Sequence, residues 1–133
     1  MPLDRRGPED PVEWLNRARS NLRRAAEARL DDVYLEDLCF DAQQAAEKAV
    51  KGLLIQAGVR FPYIHDLAAL ISSLERAGSR IPDEVRQAEH LTVFAVATRY
   101  PGLDEPVTEA EYRTALEIAT AVVRWAEERI AGG

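Results

Sequence analysis

At 133 residues the chain has the length of one domain, enough to bury a hydrophobic core without metal or disulfide support. Its composition, 47% hydrophobic and 30% charged, is that of a globular protein and excludes both a disordered polar chain and a membrane protein. A net charge of −6 excludes a surface whose whole field attracts nucleic-acid phosphate, so any such contact must be local. The local candidate is the arginine cluster Arg17, Arg19, Arg23, Arg24 and Arg29.

Residues 1–10 read as an N-terminal tail and 11–131 as a single helical domain. The tail has no apolar h-region, and no later run approaches the roughly 20 apolar residues of a membrane span, so a cytoplasmic protein without membrane contact is expected. The lone cysteine, Cys39, lies between Leu38 and Phe40 and reads as a small buried hydrophobe.

Asp10-Pro11 reads as an N-cap followed by proline at the first helical position, and Leu15, Ala18, Leu22 and Ala25 recur at helical spacing, which predicts a first helix from Pro11 to Arg29. Asp31 or Asp32 is expected to cap a second, long helix. Its stripe of Leu35, Leu38, Ala42, Ala45, Ala49 and Gly52 is widened by Cys39, Ala46, Val50 and Leu53, as suits a central helix. Gly58 and Phe61-Pro62 end it. His65-Asp66 begins a third helix with Leu67, Leu70, Ile71 and Leu74 inward, stopped at Gly78. Pro82-Asp83-Glu84 starts a fourth through Val85, Ala88 and Leu91 towards Ala97, although Thr92 to Val96 is rich in β-branched residues. After a loop containing Arg99-Tyr100-Pro101-Gly102, the capping-box pattern Thr108-Glu109-Ala110-Glu111 launches a last helix whose inward stripe runs from Tyr112 through Ala119 and Val123 to Ile130. The expected fold is all-α, an up-and-down bundle of about five helices: a four-helix core plus an extra short helix.

The run FDAQQAAEKAVKGLL over residues 40–54, then His65-Asp66-Leu67, then Arg99-Tyr100-Pro101, resembles the HEPN domain family over roughly Leu15 to Ile130. The resemblance implies a helical bundle, usually a homodimer. It also implies a partner, a minimal nucleotidyltransferase, in pairs that resemble toxin–antitoxin systems. Ribonucleases of that family carry an Arg, four to six residues and a His near the start of a late core helix. Here Arg60 and His65 have that spacing but fall between the second and third helices, Arg86 and His90 are one helical turn apart, and no histidine follows Arg99.

Two readings follow. The first is a binding module for a nucleotide or for the nucleotidyltransferase. Arg99 would supply a bidentate fork for phosphate, and Tyr100 a face for a base. His65 and Asp66 sit where free backbone N–H groups begin a helix, and Gln44, Lys48 and Lys51 share one stripe at i, i+4 and i+7. That stripe also reads as a solvated polar face, and His65-Asp66 as a structural helix start. The second reading is a metal-independent endoribonuclease in which His65 transfers a proton and Arg60 or Arg99 stabilises phosphorane charge on RNA. Cysteine and histidine spacing supports no zinc site, and no phosphate loop or dinucleotide fingerprint implies a cofactor.

Overall fold

A computed structural model describes residues 6–27, 33–61, 66–95 and 106–130. These form an all-α bundle: α1 (Pro11–Ala26), α2 (Leu35–Gln56), α3 (Leu67–Arg76), the short α4 (Asp83–Arg86), a 3-10 segment (Gln87–Ala95) and α5 (Glu109–Ile130).

The helix starts follow from side-chain acceptors for otherwise orphaned backbone N–H groups. Asp10 Oδ1 accepts from Val12 N at 2.9 Å, with Pro11 behind it at the first helical position. Asp66 Oδ1 accepts from Ala69 N at 3.3 Å at the start of α3. The capping box at α5 is reciprocal: Thr108 Oγ1 accepts from Glu111 N at 3.1 Å and Glu111 Oε1 from Thr108 N at 3.0 Å. α2 is different. It starts at Leu35 with Tyr34 at the cap and no side-chain cap bond, and the expected caps Asp31 and Asp32 lie outside the described residues. The first helix ends at Ala26, before the predicted Arg29. Gly58 (φ 73°) and Gly78 (φ 107°) end α2 and α3 in the left-handed region that costs glycine little.

α2 is the central element, packed on α1, α5, α3 and the 3-10 segment. Ala42, Ala45, Ala46 and Ala49 have no exposed surface, and their small side chains let the neighbours approach closely. Gly52 marks a close approach of α1 to α2. A Cβ there would lie 3.1 Å from Trp14 Cβ and 3.3 Å from the Pro11 carbonyl oxygen. α1 therefore runs antiparallel to α2, with its N-terminal end against Gly52 and its C-terminal end against Asp41. Across the bundle, Tyr112 Oη donates to the Ala25 carbonyl at 2.5 Å, satisfying a carbonyl in the last turn of α1. Cys39 is fully buried, and burial, aided by Glu36 and Glu111, pushes its thiol up to about 12.

The predicted fourth helix is corrected by the structure. α-Geometry stops at Arg86, and Gln87–Ala95 continues as 3-10 helix. Such runs seldom exceed 3–4 residues. The apolar spacing accounts for this one: Val85, Ala88, Leu91 and Phe94 are buried at intervals of three, the 3-10 repeat. Thr92 Oγ1 also accepts from Leu67 N at 3.2 Å, tying the segment to the start of α3.

Candidate functional site

Polar residues recur along the seam between α1 and α2. On α1, Glu13, Arg17, Asn21 and Arg24 are spaced by four, four and three, and on α2, Asp41, Gln44, Lys48 and Lys51 by three, four and three, so each set forms one stripe. The stripes face one another. Glu13, Asn21, Asp41, Gln43, Glu47 and Lys51 are all buried, which requires that each find hydrogen-bond partners.

The first half of the network joins the two helices. Asp41 Oδ1 accepts from Arg24 Nη2 at 2.6 Å and from Asn21 Nδ2 at 3.0 Å. The Asn21 amide is thereby oriented, and its Oδ1 accepts from Lys48 Nζ at 2.8 Å. Nearby on α1, Arg17 Nε donates to Glu13 Oε2 at 2.6 Å.

The second half lies within α2. Gln44 Nε2 donates to Gln43 Oε1 at 2.7 Å, and Gln43, fully buried, donates to Glu47 Oε1 at 2.8 Å. Glu47 Oε2 accepts from Lys51 Nζ at 2.9 Å. The Lys51 ammonium sits 5.6 Å from the Phe61 ring centroid, and Phe61 meets Trp14 edge to face with centroids 6.0 Å apart. The Gln44–Lys48–Lys51 stripe is therefore not simply a solvated face: Lys51 is enclosed and ion-paired, while Lys48 is half-buried.

Lys48 differs electrostatically from its neighbours. Among the described residues no carboxylate lies within ion-pair distance of its ammonium, whose hydrogen bond goes to a neutral amide. Burial, and then the charges of Arg17 and Arg24, lower its pKa below the usual lysine value, against partial opposition from Glu47 and Asp41. Arg17 and Arg24 point outward, with 55% and 66% of their side-chain surfaces exposed. They stand seven residues, or about 10 Å, apart along α1. A half-buried cation flanked by two exposed guanidiniums is a place where an anion relieves an existing electrostatic penalty.

The other predicted residues are not brought into this seam. Asp66 caps α3, Arg60 is exposed in the loop after α2, and His65, Arg99, Tyr100 and Tyr63 lie outside the described residues. Arg86 is ion-paired with Glu75. His90 lines a shallow groove of about 350 Å³ with Val93, Phe94 and Ile118. The expected one-turn relation of Arg86 and His90 fails in 3-10 geometry, where a four-residue spacing turns side chains about 120° apart. The seam's buried polar members Asn21, Asp41 and Gln43 were not singled out by sequence reasoning, whereas Glu47 stands at the i,i+4 ion-pair spacing from Lys51 that the sequence itself shows. The signal for Asn21 and Asp41 was the i, i+4, i+8, i+11 polar series on α1 opposite the polar series Asp41, Gln44, Lys48, Lys51 on α2.

The family model for the HEPN domain matches residues 12–129. A crystallised protein of Thermus thermophilus, TT1696, is similar at 30% identity and TM-score 0.75, over 90% of this chain and 97% of that one. ST0689, described as an archaeal HEPN homologue, is similar at 27% identity and TM-score 0.69, over 91% of this chain and 98% of its own. No curated protein matches the sequence. No helix among the described residues is long and apolar enough to cross a membrane. With the α2 run and the bundle geometry in place, the match across nearly the whole chain makes this protein a member of the HEPN domain family.

Proposed function

We propose that this HEPN domain is a binding module whose α1–α2 seam receives the phosphate of a nucleotide, with Lys48 as the central contact and Arg17 and Arg24 at the rim. The observation that carries the reading is the Lys48 ammonium, half-buried and lacking a carboxylate partner among the described residues. Its burial is unfavourable to the charge it carries, and a bound anion turns that penalty into binding energy. Arg17 and Arg24 each use one nitrogen on a carboxylate, which leaves guanidinium donors facing solvent for the same ligand. Arg99 and Tyr100 remain proposed as further ligand contacts, with His65.

The same module is proposed to work as a homodimer beside a small nucleotidyltransferase in a toxin–antitoxin-like pair, a partnership supported by family membership alone. Binding is favoured over ribonuclease catalysis because Arg86, one of the two arginines followed closely by a histidine, has its guanidinium engaged by Glu75.

The test is calorimetric titration of the protein with ATP, with an RNA-cleavage assay on the same preparation. Wild-type protein binds ATP, and Lys48→Ala weakens binding roughly 10- to 100-fold, the equivalent of losing one hydrogen bond to a charged group. Unchanged affinity in Lys48→Ala would remove the site from consideration. RNA cleavage abolished by His65→Ala would replace this reading with the ribonuclease one.

A further inference from the structure

The chain's 17 basic residues include only two lysines, Lys48 and Lys51, one helical turn apart on α2. The two amines sit in opposite settings. Lys51 Nζ is buried, ion-paired to Glu47 at 2.9 Å and covered by Phe61. Lys48 Nζ is half-buried and, among the described residues, bonded only to the Asn21 amide oxygen. The charged and titratable groups around it are Arg17 and Arg24 from α1 and Asp41 and Glu47 from its own helix.

We propose that Lys48 is an acylation site, modified by small acyl phosphates whose phosphate docks on one of the two neighbouring guanidiniums, Arg17 or Arg24. The inference rests on the anion-site reading for recruitment of the donor, and on the setting of Lys48 itself for the chemistry. Free amine, not ammonium, is the nucleophile, and burial among cations enlarges the free-amine fraction at Lys48. In the reaction the ammonium first releases a proton to solvent. The nitrogen lone pair then attacks the acyl carbon, the carbon–oxygen bond to phosphate breaks, and phosphate departs with that electron pair. The second nitrogen-bound proton passes to water, leaving a neutral amide. No redox partner is required. Acylation removes the one charge at the centre of the site, so the modified protein loses its nucleotide affinity.

Two lysines and an α-amino group make the experiment simple to read. The folded protein is incubated with acetyl phosphate at mildly alkaline pH, and acylation at each amine is followed by peptide mass mapping. Lys48 is expected to react several-fold faster than Lys51 and faster than it does itself in the urea-unfolded chain. Inorganic phosphate is expected to slow that reaction but not labelling of Lys48 by a neutral acetyl ester. Equal rates at Lys48 in folded and unfolded chains, or a preference for Lys51, would overturn the proposal, and insensitivity to phosphate would overturn donor recruitment by the guanidiniums. Calorimetry with ATP separates the two ideas. ATP binding without preferential acylation sinks this inference alone, and acylation without ATP binding sinks the nucleotide reading alone.

Discussion

Lys48 on α2 and Asn21 on α1 are joined by a 2.8 Å hydrogen bond whose acceptor is a neutral amide, itself held in orientation by Asp41 at 3.0 Å. A carboxylate at position 21 would have neutralised the lysine. An amide positions it and leaves its charge uncompensated, which is the arrangement an anion-binding ammonium needs.

Asn21 is thus predicted to aim Lys48 rather than to neutralise it. Asn21→Ala leaves the half-buried ammonium without its acceptor and Asp41 without one donor, at a cost of about 1–3 kcal/mol in urea unfolding. Asn21→Asp restores an acceptor for Lys48 but places a second carboxylate beside Asp41. Calorimetry should show ATP affinity lost in Asn21→Asp, because Lys48 then has a counter-ion. Retained affinity in that variant would contradict the role given to the amide.

The lowered pKa of Lys48 fixes the sign of a pH effect. Between its folded-state value and the ordinary 10.5, the unfolded chain binds more protons than the folded one, so unfolding free energy rises with pH across that window. Below the folded-state value the penalty of the charged lysine is present in full. Lys48→Met removes the titrating group and with it this contribution to the slope. Cys39, raised to about 12 from 9.0, opposes the trend at its alkaline end but is common to both proteins and cancels in the difference. Denaturant unfolding from neutral pH to 10.5 measures it, and identical slopes for the two proteins would refute the assignment. ATP reverses the linkage: a bound anion favours the ammonium, so affinity should fall as pH climbs through the Lys48 value.

Lys51, three residues away, is predicted to respond more strongly to truncation than Lys48. Its loss removes the 2.9 Å cation from the buried Glu47 carboxylate and strips a cover from Phe61. Lys51→Ala should cost about 3–5 kcal/mol, the range for breaking one side of a buried pair. Lys48→Ala should cost about 1 kcal/mol, since it removes one hydrogen bond together with an unfavourable burial of charge. Equal destabilisation of the two variants in urea unfolding would mean that their environments are not distinct.

The sequence carried the apolar skeleton more openly than it carried the site. Leu67, Leu70, Ile71 and Leu74 announce α3 by spacing, and Thr108 with Glu111 announces the start of α5, because both depend on neighbours close in the chain. The seam depends on register between helices. Asn21 is an ordinary exposed residue on an isolated α1, and only the antiparallel packing that brings Asp41 and Lys48 to it turns it into a buried bridge. A three-residue period from Val85 to Phe94 was also present, but it resembles one face of an α-helix when read over so few turns. The same limit applies to Gly52, which reads as one more small residue of the α2 stripe. What sets it apart is the position of another helix.

That position yields a prediction about how closely α1 and α2 must approach. Alanine at an interior helical site ordinarily stabilises by about 1 kcal/mol relative to glycine. At Gly52 the added Cβ would stand 3.1 Å from Trp14 Cβ and 3.3 Å from both the Pro11 carbonyl oxygen and Ile130 Cδ1. Ile130 can rotate away. Trp14 Cβ and the Pro11 carbonyl cannot move without carrying the first turn of α1, whose Trp14 indole is bonded to the Pro8 carbonyl at 2.7 Å and packed on Phe61. Overpacking of about 1–3 kcal/mol therefore outweighs the propensity gain, and Gly52→Ala is expected to lower stability on balance. Because the displaced turn also carries Glu13, the partner of Arg17, the variant should weaken ATP binding although residue 52 touches no ligand. A Gly52→Ala protein more stable than wild type, with unaltered ATP affinity, would show that the seam tolerates a wider helix separation than this geometry allows.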